Sequence, residues 1–351
     1  MKYLKIYTIY FISICILSGC NYTKKESDKI NSYKYDIGLS LATLNEDRWL
    51  KDRDIFVSEA KLLGVDVDVQ NANNNSNDQY EQVFEMIENG IKVLVIVPND
   101  ADKSSEIVEL ARKNNVKVVC YDRIIRNVDV DLYISFDHKE VGRLLAGYLV
   151  NKVPKGNYVI INGPKNDNNS IFIKQGYDEV LKDKINKGSI KIISENFVDN
   201  WSPDEASEIM RNLLEKGEKI NAIIAGNDKL AGGAINVLSE KSLAGSIPVV
   251  GEDADLAACQ RIVNGTQNLT IYKPIDKLAK NAANMAVNIL KGEKLITEKE
   301  INNGKYNIPF YEVDIVSIKK DNLYRIIVKE EAFHRIEDVY IDIDKSKWPQ
   351  N

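Results

Sequence analysis

The sequence predicts an α/β protein made of two lobes, each a mainly parallel sheet covered by helices. Three observations carry that expectation. Short β-branched runs alternate along the chain with stretches of helical periodicity, the pattern of βαβ units. Several runs, Val93–Val97 most clearly, are apolar throughout, as in strands covered on both faces. The chain carries roughly ten such runs, more than a typical open sheet holds, and its 351 residues suffice for two cores.

The elements follow in order. Lys2 and Lys5 precede an apolar run, Ile6–Leu17, and then Leu17-Ser18-Gly19-Cys20. The run is shorter than the roughly 17 residues a membrane-spanning helix needs, but it suits the apolar region of a secretory signal. Its ending resembles a bacterial lipobox, so residues 1–19 are expected to be a signal peptide and Cys20 the lipidated first residue of the mature chain. More than one acyl chain gives stable anchoring, which places the protein on the extracytoplasmic face of the cell membrane. A plain signal peptide with an incidental cysteine, or an uncleaved anchor, is the alternative. Residues 20–33 are polar and read as a tether.

In the first half, strands are expected at Tyr35–Ala42, Val65–Gln70, Val93–Val97, Val116–Tyr121 and Leu132–Phe136. In the second half they fall at Tyr158–Asn162, Ile190–Val198, Ala222–Ala225, Ile247–Val250 and Leu269–Tyr272. Helical periodicity marks Arg48–Leu63, Asp78–Glu88, Ala101–Asn114, Val141–Val150, Pro203–Leu214 and Ala279–Leu290. In the first of these, Ile55, Phe56, Leu62 and Leu63 suggest the buried face. Cys120 and Cys259 suit buried free thiols, and the tail from Lys319 to Asn351 is left unassigned.

Composition excludes several function classes. A net charge of −5 argues against nucleic acid as the main partner. Two histidines, and four cysteines never in C-x-x-C spacing, leave no common zinc motif, and neither standard glycine-rich phosphate loop occurs. No metal and no cofactor is therefore expected.

Several strand runs end abruptly in polar residues: Asp122-Arg123, Asn227-Asp228, Glu252-Asp253 and Lys273. Ligands of open parallel sheets bind outside the carboxyl ends of the strands, so these ends would converge on a cleft if two lobes face one another. Helix capping explains Asp255, and equally Asp228, without any ligand. It does not explain Arg123 or Lys273, because a cation is not an N-cap.

Seven separated motifs then combine. They are Glu46–Asp54 (EDRWLKDRD), Tyr121-Asp122-Arg123, Tyr133–Asp137 (YISFD), Asp167-Asn168-Asn169, Asn227-Asp228 with Ala231–Ala234, Gly251–Leu256 (GEDADL) and Thr270–Pro274 (TIYKP). In this order and spacing the chain, from about Tyr35 to Val316, resembles the xylose-binding branch of the type I periplasmic sugar-binding family, the receptors of bacterial ABC importers. The resemblance implies two Rossmann-like lobes joined by three crossovers and closing on one sugar, with D-xylose or a closely related pentose as ligand and an ABC permease as partner. It implies an N-terminal lobe of residues 34–137 and 275–309 and a C-terminal lobe of residues 138–274 and 310–351. It assigns ligand contacts to Arg48, Trp49, Asp122 and Arg123, to Asp167, Asn169, Trp201 and Asn227, and to Asp253 and Lys273. Tyr133–Asp137 and Thr270–Pro274 would be two crossovers, and the third would lie near Pro309–Val316. Glu252 departs from the neutral glutamine expected beside Asp253.

The residue chemistry suits a polyol. Ionised Asp122, Asp167 and Asp253 only accept hydrogen bonds, Arg48, Arg123 and Lys273 only donate, and Asn169 and Asn227 do both. Such a mixture satisfies sugar hydroxyls, while opposite charges cancel so that no ion is attracted. Trp49 and Trp201 would press on the ring from the two lobes, although each also suits core packing. Arg48 and Arg53 equally suit a solvated charged face.

Two other classes are set aside. A sugar-responsive repressor needs an N-terminal DNA-binding helix pair where the signal and tether lie. An enzyme using Glu252 and Asp253 as acid and base is disfavoured because neighbours on a strand point to opposite faces. The protein is expected to be a non-enzymatic receptor without catalytic residues. The sequence leaves open whether its closed form is read by a permease or by the extracellular domain of a membrane sensor kinase.

Overall fold

The computed structural model describes residues 35–297 and 299–349. The expected signal peptide, Cys20 and the tether lie outside the described residues. Thirteen strands and ten α-helices follow one another among the described residues. The first half holds β1 (Ile37–Leu41), α1 (Asp47–Leu62), β2 (Val67–Asn71), α2 (Ser76–Glu88), β3 (Val93–Ile96), α3 (Ser105–Lys113), β4 (Lys117–Tyr121) and β5 (Leu132–Phe136). Next come α4 (His138–Lys152), β6 (Gly156–Asn162), α5 (Asn168–Asn186), β7 (Ile190–Phe197), α6 (Pro203–Glu215), β8 (Ala222–Ala225), α7 (Asp228–Glu240), β9 (Val249–Glu252), α8 (Leu256–Asn264) and β10 (Leu269–Tyr272). The chain finishes with α9 (Ile275–Leu290), β11 (Lys299–Asn302), β12 (Asn307–Val313), β13 (Val316–Ile318), a π-helical turn at Tyr324–Glu330 and α10 (Ile336–Val339).

Two sheets result. The first has seven strands in the order β11-β12-β5-β4-β3-β1-β2, the second six in the order β13-β10-β9-β8-β6-β7. Every pairing is parallel except at one edge of each sheet, β11 with β12 and β13 with β10. The first sheet is covered on both faces. Phe56 and Ala60 of α1 pack with Leu278, Ala282 and Ala286 of α9 on one, and α2 and α3 supply Val83, Met86, Ile107 and Val108 on the other. Continuously apolar β3 is buried throughout because it lies between these layers.

The chain crosses between the sheets three times. It leaves the first after β5, returns from β10 through Lys273 and Pro274 into α9, and leaves again between β12 and β13. Phe310–Val313 pair with Tyr133–Phe136, so the last crossing falls at Asp314–Ile315, beyond the expected 309/310 boundary.

Three local expectations are corrected. Leu62 is 82% exposed, and the buried face of α1 is Trp49, Asp52, Phe56 and Ala60, spaced by one and two turns. Helix α3 starts at Ser105, after a turn, rather than at Ala101. Asp228 does not cap α7: Asn227 does, accepting from Leu230 N at 2.9 Å. Asp228 is instead a buried acceptor for Thr270 Oγ1, Gln267 Nε2 and Asp255 N. The unassigned tail is structured. Leu323, Ile326, Ile327, Val339 and Tyr340 form a cluster with Cys259 and Ile262 of α8 and Tyr272 of β10, covering that end of the second sheet. Trp348 docks there, donating from Nε1 to Ile343 O at 2.9 Å.

Candidate functional site

All ten side chains expected to touch ligand line one cleft between the carboxyl ends of the two sheets, where Glu46 and Glu252 join them. From the first lobe, α1 contributes Arg48 and Trp49, and the turn after β4 contributes Asp122 and Arg123. From the second come Asp167 and Asn169 at the start of α5, Trp201 before α6, Asn227 after β8 and Asp253 after β9, while Lys273 sits on a crossover. The cavity is about 20 Å³, room for about one water, against about 480 and 690 Å³ for hollows elsewhere on the surface, so the lobes must part to admit a larger molecule. Buried charge distinguishes the cleft, since Arg48, Asp122, Arg123, Asp167 and Lys273 are all at most 9% exposed.

Three cleft residues have strained backbones: Trp201, at φ 54°, and two that carry carboxylates. Asp122 has φ 62° and Asp253 φ 102°, conformations that cost a non-glycine residue about 1–3 kcal/mol and persist only when the surroundings over-determine them. At Asp122 the surroundings are explicit. Its N–H donates to Ile134 O at 2.8 Å, and its carbonyl accepts from the Tyr133 and Ser135 hydroxyls at 3.0 and 2.6 Å. At Asp253 the N–H donates to Ile271 O at 2.8 Å. This turn also overturns an expectation: Glu252 and Asp253 do not diverge, and both reach Lys273 Nζ, at 3.3 and 2.7 Å.

Ion pairs link the two lobes. Arg48 Nη2 holds Asp122 Oδ2 at 2.7 Å, and its Nη1 lies 3.8 Å from Asp253 Oδ1 across the cleft. Arg123 Nε meets Asp167 Oδ2 at 2.9 Å, and Asn169 Nδ2 donates to Asp122 Oδ1 at 2.9 Å. Behind Arg48, Asp52 sits 3.3 Å from its Nε and accepts from the Tyr121 hydroxyl. The tryptophans serve two roles. Trp49 is buried in the first lobe's core, its ring under the Arg48 and Arg123 guanidiniums at 4.2 and 5.5 Å, and it donates to Glu46 Oε2 at 2.8 Å. Trp201 packs in the second lobe's core and donates to Asp167 Oδ2 at 3.2 Å.

Protonation follows from this arrangement. Burial acts to raise the Asp122 carboxyl, but Arg48 and Lys273 outweigh it and hold it well below the usual carboxylate range. Asp253 is lowered in the same way, burial being overcome by Lys273 and Arg48. Burial pushes Asp52 up to about 6 against the pull of Arg48. Burial also lowers His138, the first residue of α4, to about 3, so this imidazole is neutral.

The cleft is not self-satisfied. Among the described residues, seven buried side-chain polar atoms have no aligned hydrogen-bond partner, and four of them are here: Arg123 Nε, Asn169 Oδ1, Glu252 Oε2 and Asp253 Oδ1. Arg123 Nε and Asp253 Oδ1 stand at ion-pair distance from their partners but off the line of a hydrogen bond. Each such atom costs about 1–3 kcal/mol unless another group completes it. Donors and acceptors from two lobes, converging around a small volume with aromatic edges, can enclose a neutral molecule rich in hydroxyls. The sequence set Glu252 at a strand end expected to face the cleft, but assigned a ligand contact neither to it nor to Glu46. Glu46 lies inside a charged run that reads as solvated surface, and Glu252 ends the buried strand β9, where the turn at Asp253 brings both acids to Lys273.

The chain is similar to known proteins in sequence and in fold. Residues 37–294 match the family described as periplasmic binding protein domain. The chain is 42% identical over 315 residues to a D-xylose-binding periplasmic protein of Haemophilus influenzae, covering 90% of this chain and 95% of that one. It is also 42% identical over 300 residues to the D-xylose-binding periplasmic protein of Escherichia coli, covering 85% and 91%. Among solved structures, a carbohydrate transporter solute binding protein from Chloroflexus aurantiacus in complex with D-glucose superposes with a TM-score of 0.80 at 27% identity, covering 87% of this chain and 98% of that one.

Proposed function

The chain belongs to the periplasmic binding protein family, and from that premise we propose that it is an extracytoplasmic receptor that binds D-xylose or a closely related pentose by closure of its two lobes and delivers it to an ABC importer. The observation that carries the reading is the convergence of Arg48, Asp122, Arg123, Asp167, Asn169, Asn227, Asp253 and Lys273 from both lobes on one small cleft. A pyranose presents hydroxyls that each donate and accept. The carboxylates accept hydrogen bonds from the hydroxyls, the arginines and Lys273 donate to the oxygens, and the asparagines do either. Charge-assisted bonds of this kind are roughly twice as strong as neutral ones. Trp49 and Trp201 bound the apolar ring face.

Closure follows from differential contact. A ligand shifts an open–closed equilibrium only by binding the closed form better, and a sugar touching both lobes does so. Receptors of this family act outside the cytoplasm and carry out no chemical step, in keeping with a site arranged for binding. Lipidation at Cys20 would hold the receptor at the membrane, and labelling of the wild type but not of Cys20→Ser by a radioactive fatty acid tests it. The permease is the proposed reader of the closed form. Recovery of a sensor kinase in place of permease subunits after membrane crosslinking would assign the alternative role.

Isothermal titration of the mature chain with D-xylose, D-ribose, L-arabinose, D-glucose and D-galactose tests the reading. One-to-one binding with xylose tightest supports it. Binding of a hexose alone would replace the ligand, and no heat with any of the five would overturn the receptor role.

A further inference from the structure

Glu252 closes β9 with its side chain 2% exposed and lining the cleft. Its Oε2 lies 3.3 Å from Lys273 Nζ yet has no aligned hydrogen-bond partner. The charged and titratable groups around it come from every neighbouring element. Lys273 after β10, Asp253 after β9 itself and Asp122 after β4 act on it directly; Arg48 from α1 and His138 from α4 lie against the same three groups, and α7, which carries Asp228, packs on β9.

A count of buried charge shows what these neighbours demand. Arg123 is matched by Asp167, and His138 is neutral. Arg48 and Lys273 then face four acids: Asp52, Asp122, Asp253 and Glu252. Uncompensated charge in a buried cluster is removed by protonation rather than tolerated. Asp122 and Asp253 hold the closest contacts to the two cations, both at 2.7 Å, and Asp52 accepts from the Tyr121 hydroxyl. Glu252 has the longer contact to a lysine already engaged by Asp253.

We propose that Glu252 is a further ligand-contacting residue of the cleft, presenting a protonated carboxyl that donates a hydrogen bond to a sugar oxygen and so makes closure on the sugar proton-dependent. This rests on the sugar-receptor reading above. Burial, with Asp253 and Asp122 nearby, pushes Glu252 up to about 8 against the pull of Lys273. The neutral acid adds a donor where the ionised carboxylates only accept. Ionisation replaces that donor with an acceptor and adds another negative charge to a cleft already holding Asp122 and Asp253.

Titration of the mature chain with D-xylose from pH 6 to 9.5 tests the proposal, with Glu252→Gln, whose amide donates at every pH, in parallel. The wild-type dissociation constant stays level to about pH 7.5 and then rises towards about tenfold per pH unit above 8, the slope of one linked proton. In Glu252→Gln the ratio of dissociation constants at pH 9 and pH 7 falls to near one. Near-ultraviolet circular dichroism of both proteins at each pH separates loss of binding from loss of fold. Repeating the titration at pH 8.5 in buffers of different ionisation enthalpy gives proton uptake on binding for the wild type and none for the variant. A wild-type affinity unchanged from pH 6 to 9, or a fall near pH 8 that persists in Glu252→Gln, overturns the role of Glu252 and leaves the receptor intact. If the wild type binds no sugar at any pH, the receptor reading falls, and this contact falls with it.

Discussion

Arg123 and Asp167 face each other across the cleft at 2.9 Å, one from each lobe, and both are buried. Removing the arginine leaves a buried carboxylate without its cation and deletes donors from the ligand's surroundings. Truncating one partner of such a pair costs about 2–5 kcal/mol, so Arg123→Ala is expected to weaken xylose binding at least about 30-fold by isothermal titration. Arg123→Lys keeps the charge but not the fork of donors, and its affinity should fall between the two. Asp122 is held more elaborately. Tyr133, Ser135 and Ile134 fix its left-handed backbone, and Arg48 and Asn169 fix its carboxylate. Asp122 and Arg123 were legible in the sequence as residue types at a strand end, because acids and cations that cap nothing need another explanation, whereas Arg48, Asp167 and Asn169 were implied only by the family resemblance. That Glu252 and Asp253 meet on the same Lys273 was not legible, since Asp253 has φ 102°, a conformation for which a non-glycine residue carries no local signal.

At the scale of elements, α5 decides where Asp167 and Asn169 stand, and α4 decides where α5 stands. The two helices approach so closely that a Cβ on Gly142 would strike the Ile173 carbonyl and one on Gly176 the Lys139 carbonyl. Both obstacles are backbone, so neither yields by a rotamer change. Gly176→Ala is therefore expected to displace α5, lowering stability by about 1–3 kcal/mol and weakening sugar binding although the residue touches no ligand. Chemical denaturation and titration on the same sample check both effects. Strands fared better than helices in the sequence because β-branched runs are compact signals, and Leu132–Phe136, Ala222–Ala225 and Leu269–Tyr272 fall where expected. Helix α5 was missed because polar Asn168-Asn169-Ser170 are buried at its start and blur its periodicity. Strands β11 and β13 are short edge strands: β11 folds back on β12 as a hairpin through Asn303–Tyr306, and the pairing of β13 with β10 is set by the last crossover.

For the whole molecule, closure is supported at both ends of the cleft. Ala101 N donates to Asn166 O at 3.0 Å, and Arg126 Nη1 to Asn168 Oδ1 at 2.9 Å on one side. Lys229 Nζ reaches Asn45 O at 3.3 Å on the other. On the crossover side, Lys51 of α1 sits over the Phe333 ring at 4.4 Å and Lys277 of α9 lies 3.2 Å from Glu331, so the tail touches the first lobe as well as the second. Apart from the buried Ala101 and Asn168, these contacts are made by exposed or half-buried groups, and each contributes a fraction of a kcal/mol to about 1 kcal/mol. Arg126→Ala is accordingly expected to weaken sugar affinity no more than about fivefold, mainly through faster dissociation, which stopped-flow fluorescence from the cleft tryptophans reads directly. The two-lobe plan was legible from the number of strand runs. The clasping tail was not, because its contacts join residues far apart in sequence.

The central claim is that one sugar is enclosed between the lobes by ten residues, nine of them in the seven motifs and the tenth Trp201 before α6. A crystal structure of the mature chain grown with D-xylose tests it most directly. The account predicts the pyranose ring between Trp49 and Trp201, with its hydroxyls on Arg48, Asp122, Arg123, Asp167, Asn169, Asn227, Asp253 and Lys273, and Glu252 Oε2 within hydrogen-bond distance of a sugar oxygen. Xylose seated instead in the larger hollow lined by Phe172 and Phe310, or a cleft whose Arg123–Asp167 and Lys273–Asp253 pairs remain closed on each other without sugar at saturating concentration, would contradict it.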